Sequence, residues 1–189
     1  ILSTMEYYME HKELDKLEEY FRQEILPTAS SLPGQDFILG RLTQVQVAPI
    51  KSLLCSKLCS CQNKQIPFTL SIPKPVTHFP MDVLSLSQIL GILLDNAMEA
   101  ALQTEKPYLE IILLPQEEHI YIEIKNTTLP LTVPISELSR RGFSTKKGHT
   151  GLGLHTIQKL LAPLEHVQFS LEVQDTIFSA KLILGKDFL

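Results

Sequence analysis

The sequence predicts a two-layer α/β sandwich, with long helices packed on a mixed, mostly antiparallel sheet and a partial helical hairpin in front of it. Three observations carry this. Two long segments, Val47 to Asn63 and Leu84 to Gln103, carry apolar residues at helical density. Five shorter segments read as strands, three of them with two-residue alternation. The run Ser30-Ser31-Leu32-Pro33-Gly34 separates these from a helical N-terminal stretch. A run of helices over mostly adjacent strands packs as two layers around one core.

Residues 1–33 are read as the partial hairpin. Leu14, Leu17, Tyr20, Phe21 and Ile25 follow helical spacing. Leu2, Met5, Tyr8 and Met9 form an earlier stripe, and Glu10 to Glu13 is the break between them. Such a hairpin cannot bury both faces alone and is expected to pair with a second copy. Residues 34–189 form the second domain. After the Val47 to Asn63 helix, Pro67 to Ile72 is a short strand bounded by prolines. The Leu84 to Gln103 helix follows, with Asp82 as its N-cap and Ser85 or Ser87 as alternatives. Tyr108 to Leu114 and His119 to Lys125 are strands, residues 127–150 a loop, and Leu152 to Leu164 a helix. Val167 to Val173 and Ile177 to Leu184 are the last two strands. There are no internal repeats.

Composition excludes several classes. Apolar residues at 44% and charged residues at 20% describe a folded chain rather than a disordered tail. The net charge is −4 without a basic run, so nucleic-acid binding has no electrostatic support. No uninterrupted apolar run reaches the ~20 residues of a membrane span, so no membrane contact by this segment is expected. The sequence opens on Ile1 without a signal peptide and is read as a fragment of a longer protein. Cys55, Cys59 and Cys61 are odd in number and clustered, which fits free thiols in a reducing compartment. With no neighbouring His or fourth Cys, they complete no tetrahedral zinc shell, and the six histidines show no metal-ligand spacing.

Two segments carry chemistry. Gly91-Ile92-Leu93-Leu94-Asp95-Asn96-Ala97-Met98-Glu99 places two adjacent polar side chains inside an apolar helix. Burying either without a partner costs ~1–3 kcal/mol. Neighbouring side chains diverge by about 100°, so one of the pair suffices to face a site. Arg141 to Leu154 is a Gly- and Lys-bearing loop that runs into a helix. Glycines admit close backbone approach to a phosphate, and the helix start adds N–H donors. The spacing is not that of a Walker A loop.

Together the two segments resemble the Bergerat-fold ATPases, the group of gyrase B, Hsp90, MutL and the histidine kinases. Asp95-Asn96-Ala97 is similar to their N box, and Gly151-Leu152-Gly153-Leu154 to their second glycine box. Within that group, Ile92 to Ala100 and Gly142-Phe143-Ser144-Thr145-Lys146 most resemble the peptide-pheromone receptor kinases of Gram-positive bacteria, the AgrC and ComD type. The resemblance covers about residues 13–185.

It implies ATP and Mg²⁺ as cofactors. Asn96 would be the catalytic-site residue that holds the magnesium bridging the phosphates. Asn126, Phe143, Ser144, Thr145, Lys146, Gly148, Gly151, Leu152, Gly153, Leu154 and Thr176 would contact ATP, and residues 127–150 would be the lid. Asp95 is read as orienting Asn96 or a bound water, and Glu99, where a basic residue is usual, receives no role. The pattern departs from the family twice. Ile92 stands where hydrolysing members carry a Glu, which speaks against a dedicated ATP hydrolase and for a kinase. The Asp-x-Gly-x-Gly box is absent, and Asn126 would accept the adenine amino group instead.

The expected function is the cytoplasmic catalytic portion of a two-component sensor histidine kinase, itself an integral membrane protein. It would phosphorylate a histidine upstream of Ile1 for relay to a response regulator partner, and would form a homodimer through its N-terminal helices. His11 is read as a solvated surface residue. The alternative is a nucleotide-binding regulatory module without kinase activity.

Overall fold

The computed structural model describes residues 40–138 and 153–185, with His11, Glu13 and Lys16. The chain divides into two compact units, Ile1–Gly40 and Arg41–Leu189. Apart from those three positions, the hairpin expected over residues 1–33 lies outside the described residues. In the first unit Lys16 Nζ lies 3.2 Å from Glu13 Oε2.

In the second unit the described elements run α1 (Ala48–Asn63), β1 (Phe68–Ser71), α2 (Val83–Ala101), β2 (Leu109–Pro115), β3 (His119–Thr127), α3 (Ile135–Leu138), α4 (Gly153–Leu161), β4 (Val167–Gln174) and β5 (Ile177–Gly185). The strands form one sheet in the order β1-β2-β3-β5-β4. Only β1 and β2 pair in parallel; the other neighbours are antiparallel. The mixed, mostly antiparallel sheet expected from the sequence is therefore present, with helices over one face.

Local chemistry sets the helix ends. Pro49 opens α1, where its missing N–H costs nothing. The helix closes in a Schellman turn. Ile66 N donates to Cys61 O at 2.9 Å and Gln65 N to Gln62 O at 2.9 Å. Gln65 takes the left-handed position, φ 56°, that glycine usually fills. Asp82 caps α2, its Oδ2 accepting from Ser85 N at 2.8 Å. That bond holds the Asp82 carboxyl below its ordinary value. Ser87, an alternative cap, donates its hydroxyl to Val83 O.

Helix α2 is the centre of the core. Leu86, Ile89, Leu90, Leu93, Leu94, Ala97, Met98 and Ala101 are buried along one side. They meet the inward residues of β2 and β3, among them Leu109, Ile111, Leu113, Ile120, Ile122 and Ile124. By length and composition α2 is apolar enough to cross a membrane. Here its apolar stripe is taken up by the sheet.

The register puts Ile120, Ile122, Ile124 and Asn126 of β3 on the helix side, opposite Leu184, Leu182, Ala180 and Phe178 of β5. Tyr121, Glu123 and Lys125 lie on the outer face. There Glu123 is buried at 6% exposure and accepts from Ser179 Oγ at 2.7 Å. Lys125 Nζ bridges Glu110 at 3.2 Å and Glu123 at 3.4 Å. Burial alone would raise the Glu123 carboxyl; the bonds from Ser179 and Tyr121 and the Lys125 charge outweigh it and lower it.

Most element boundaries agree with the sequence reading to within one or two residues, and three differences have a visible cause or add an element. Strand β3 runs two residues further, through Asn126 and Thr127, because both positions pair on two sides or at the sheet end with β2 and β5. Ladder bonds override the poor strand propensity of asparagine. The stretch 127–150, read as loop, contains a short helix, α3, at Ile135–Leu138. The last helix ends at Leu161, three residues early, where Leu164 N turns back to Leu161 O.

Candidate functional site

The site is built on the side of α2 that is turned away from α1. Ile92 and Asn96, four residues apart, project along one ridge of α2 toward the first residue of α4. That residue is Gly153. A Cβ placed on it would stand 2.9 Å from Ile92 Cγ2 and 3.5 Å from Asn96 Nδ2. The amide of Asn96 and the start of α4 are thus in direct apposition, although 57 positions of sequence separate them. Ile157, fully buried, fastens α4 one turn further on. Leu154 is half-buried on the same short helix.

A helix start presents N–H donors and the positive end of its dipole. Beside it stands the Asn96 carboxamide, whose Nδ2 is its atom nearest Gly153; a carboxamide also carries an oxygen of the kind a hard cation takes. The absence of a Cβ at 153 is what permits this approach. Ile92 presents its Cγ2 methyl to Gly153, and an alkyl side chain accepts no proton.

Asp95 points elsewhere. Its Oδ1 is 2.6 Å from Lys57 Nζ of α1, an ion pair between the two helices. This differs from one of the two roles read from the sequence, that Asp95 orients Asn96; the other was to orient a bound water. The helix turn between them settles the matter: with Asn96 facing α4, Asp95 faces α1. Lys57 also offsets a negative charge that would otherwise stand one residue from Asn96. Sequence reading missed Lys57, since nothing in a helix 38 residues away marks it as the partner.

The second part of the site lies at the end of the sheet. Asn126 is 2% exposed on the helix side of β3. Its Nδ2 donates to Thr127 O at 2.8 Å, and among the described residues no donor reaches its Oδ1. A buried acceptor left open costs free energy unless a ligand or water completes it. Thr176, exposed in the two-residue turn before β5, is tied to the strand end by its carbonyl, which accepts from Thr128 N at 2.8 Å. Asp175 makes that turn at φ 54°, a conformation aspartate tolerates. Register pairs Asn126 with Phe178 at the sheet end, and the Thr128–Thr176 backbone bond follows directly beyond it. The segment after α2 reaches the same end, where Thr104 Oγ1 and Thr127 Oγ1 are 3.1 Å apart. Asn96 lies five residues before the last residue of α2, roughly 8 Å along the axis.

Of the expected ATP contacts, the structure places Asn96, Asn126, Gly153, Leu154 and Thr176. Phe143, Ser144, Thr145, Lys146, Gly148, Gly151 and Leu152 lie outside the described residues. Glu99, one turn past Asn96, is half-buried. No group of three or more His, Cys, Asp or Glu side chains among the described residues gathers as a metal cage.

A two-layer sandwich with a polar N-box residue facing a glycine at a helix start defines the chain as a Bergerat-type ATP-binding domain. Residues 81–185, more than half of the chain, match the family described as the GHKL domain, and the chain belongs to that family. None of the curated protein sequences matches it. The fold is that of histidine kinase catalytic domains. The catalytic domain of histidine kinase ThkA superposes with a TM-score of 0.63 at 19% identity, covering 74% of this chain and 91% of that one. Mycobacterial sensor histidine kinase MprB gives 0.55 at 16%, covering 72% and 95%. The Acinetobacter baumannii histidine kinase AdeS gives 0.56 at 15%, covering 98% and 95%.

Proposed function

We propose that this chain is the catalytic, ATP-binding portion of a two-component sensor histidine kinase of the peptide-pheromone receptor type. The observation that supports it most is the apposition of Asn96 and Gly153, with Ile92 packed on the same glycine beside Asn96. In this reading Asn96 offers its amide oxygen to a magnesium ion on the phosphates, and the start of α4 receives the phosphates themselves. Bound Mg²⁺ would neutralise charge on the phosphates. Gly151, Leu152 and Leu154 belong to the same helix start, and Phe143, Ser144, Thr145, Lys146 and Gly148 to a lid over it. Asn126 Oδ1, buried and reached by no donor among the described residues, would accept from the adenine amino group, with Thr176 at the rim.

Ile92 decides between hydrolysis and transfer. A branched alkyl group beside the phosphate site cannot take a proton from a water. The nucleophile must then come from elsewhere, and an imidazole brings its own lone pair. Catalysis by this chain reduces to positioning and charge stabilisation. The acceptor histidine lies upstream of Ile1 in the longer protein, in the first of two helices that form the homodimer. The phosphoryl group then passes to a response regulator. The chain is the cytoplasmic segment of a membrane-anchored receptor.

The test is Mg-ATP affinity of the native chain and of Asn96→Ala, followed by labelling with γ-labelled ATP of a longer chain that carries the upstream helix. Affinity should fall roughly 10- to 100-fold on substitution, the loss of a contact to a charged group. The longer chain should gain acid-labile label, and this chain should not. Equal affinity in both proteins sinks the nucleotide reading. Binding without label in the longer chain leaves a regulatory module without kinase activity.

A further inference from the structure

Helix α1 carries two half-exposed thiols, Cys55 and Cys59, and a buried one, Cys61. Cys55 and Cys59 are four residues apart, so they stack on adjacent turns of one face. Burial, and next the neighbouring Cys59 thiol, push the Cys55 thiol above its ordinary value. Lys51, four residues earlier on the same face, places its charge beside Cys55. The face is not the one that packs on α2. Leu53 lies 4.0 Å from a Cβ built at Gly91, and Lys57 bonds Asp95. Cys55 and Cys59 follow those two residues by two positions each, about 200° further round the helix.

Two routes are open to a thiol pair of this kind, and helix geometry separates them. A disulfide needs Cβ atoms about 3.5–4.5 Å apart. Residues at this spacing hold theirs about 5–6 Å apart. Oxidation to a disulfide would therefore require α1 to unwind, which its four buried residues and its Schellman turn oppose. A single atom inserted between the sulfurs fits without unwinding, because two metal–sulfur bonds of about 2.3 Å span roughly 4.5 Å. Zinc and iron–sulfur centres demand four ligands, and no cluster of even three stands among the described residues. A soft ion content with two thiolates is monovalent copper.

We propose that Cys55 and Cys59 form a two-thiolate site for Cu(I) on the outer face of α1. Binding releases two protons, one from each thiol, and forms two Cu–S bonds with no change of oxidation state. The resulting S–Cu–S unit carries one negative charge, and the Lys51 ammonium balances it. Cys61 takes no part, since its thiol is enclosed in the core. All the cysteines of the chain lie among these three, so the stoichiometry is unambiguous.

The experiment uses the whole 189-residue chain, reduced and anaerobic, competing for Cu(I) against its coloured bicinchoninate complex. One Cu(I) per chain should be withdrawn. Cys55→Ser and Cys59→Ser should each weaken binding at least ~100-fold, the loss of one arm of a chelate. Cys61→Ala should leave it within about threefold. Far-UV circular dichroism of each variant establishes that α1 persists. A second probe, phenylarsine oxide, reads the pair without copper: mass spectrometry should show one arsenic bridging two thiols, with one water lost, and none in either serine variant. Failure to withdraw copper, full retention of it by Cys59→Ser in a folded protein, or equal loss in Cys61→Ala overturns the site. None of these measurements involves Asn96, so they stand or fall apart from the nucleotide reading.

Discussion

Gly153 lies so close to Ile92 that a Cβ added to it would stand 2.9 Å from the Ile92 Cγ2 methyl. The contact is between a helix start and a β-branched side chain, whose methyl cannot swing aside without leaving its rotamer. The glycine is therefore required by helix packing before any ligand is considered. Gly153→Ala should destabilise the domain by ~1–3 kcal/mol, the cost of overpacking. Adding Ile92→Ala, which removes the obstructing methyl, should return part of that loss. Thermal unfolding of the two single variants and the double variant measures the coupling; strict additivity would show that the contact does not exist in solution.

Asn126 offers a discriminating test of the sheet-end half of the site. Asn126→Asp keeps an acceptor, whereas Asn126→Leu removes it. Preference for ATP over GTP should survive the first and fall by roughly tenfold or more in the second. Competition binding with both nucleotides reads this directly. Equal preference in all three proteins would place adenine elsewhere.

Lys57→Ala should cost little stability, below ~1 kcal/mol, because half of the Asp95 carboxylate is in water. Its effect on nucleotide should exceed its effect on folding. The substitution frees a negative charge one residue from Asn96, so Mg-ATP affinity should drop, and drop less at high salt. Titrations at two ionic strengths, beside a denaturation curve, separate the two effects.

The outer face of the sheet has a pH signature. The folded Glu123 carboxyl titrates below the ordinary glutamate value of 4.5. A group lowered on folding contributes stability above its unfolded value and loses it as pH falls through the folded one. Unfolding midpoints taken from about pH 6 to about pH 3 should fall less steeply in Glu123→Gln than in the native chain. At neutral pH the variant should be less stable by ~1–3 kcal/mol, since Ser179 and Lys125 lose a buried carboxylate partner. Parallel curves would mean that Glu123 is not so held.

Gln65→Gly should raise stability by up to ~1 kcal/mol. The native side chain occupies φ 56°, where a Cβ is crowded, and glycine removes that strain at a smaller entropic cost. Chemical denaturation detects a change of this size. A loss instead of a gain would show that the Gln65 side chain contributes more than its backbone costs.

The elements were legible where local chemistry alone fixes them. The alternation Ile120, Ile122, Ile124 announced a strand with one buried face, and Asp82 announced the start of α2, because a carboxylate three residues before a free N–H needs no distant partner. Asn96 and Gly153 were legible as residue types, a polar side chain in an apolar helix and a glycine at a helix start. Other features depended on position in space. The end of β3 was fixed by pairing with β2 and β5, and a sequence window contains neither. Asp95 turned to Lys57 rather than to Asn96, because a helix sends neighbouring side chains in different directions and the packing of α1 supplied the cation. That Gly153 must be glycine on account of Ile92 followed only from the seating of α4 on α2. Sequence by itself determined periodicity, caps and the inventory of chemical groups, all properties within a few residues. Which groups meet across tens of residues was decided by the burial of α2 against the sheet, since that single packing choice sets the direction of every side chain around it.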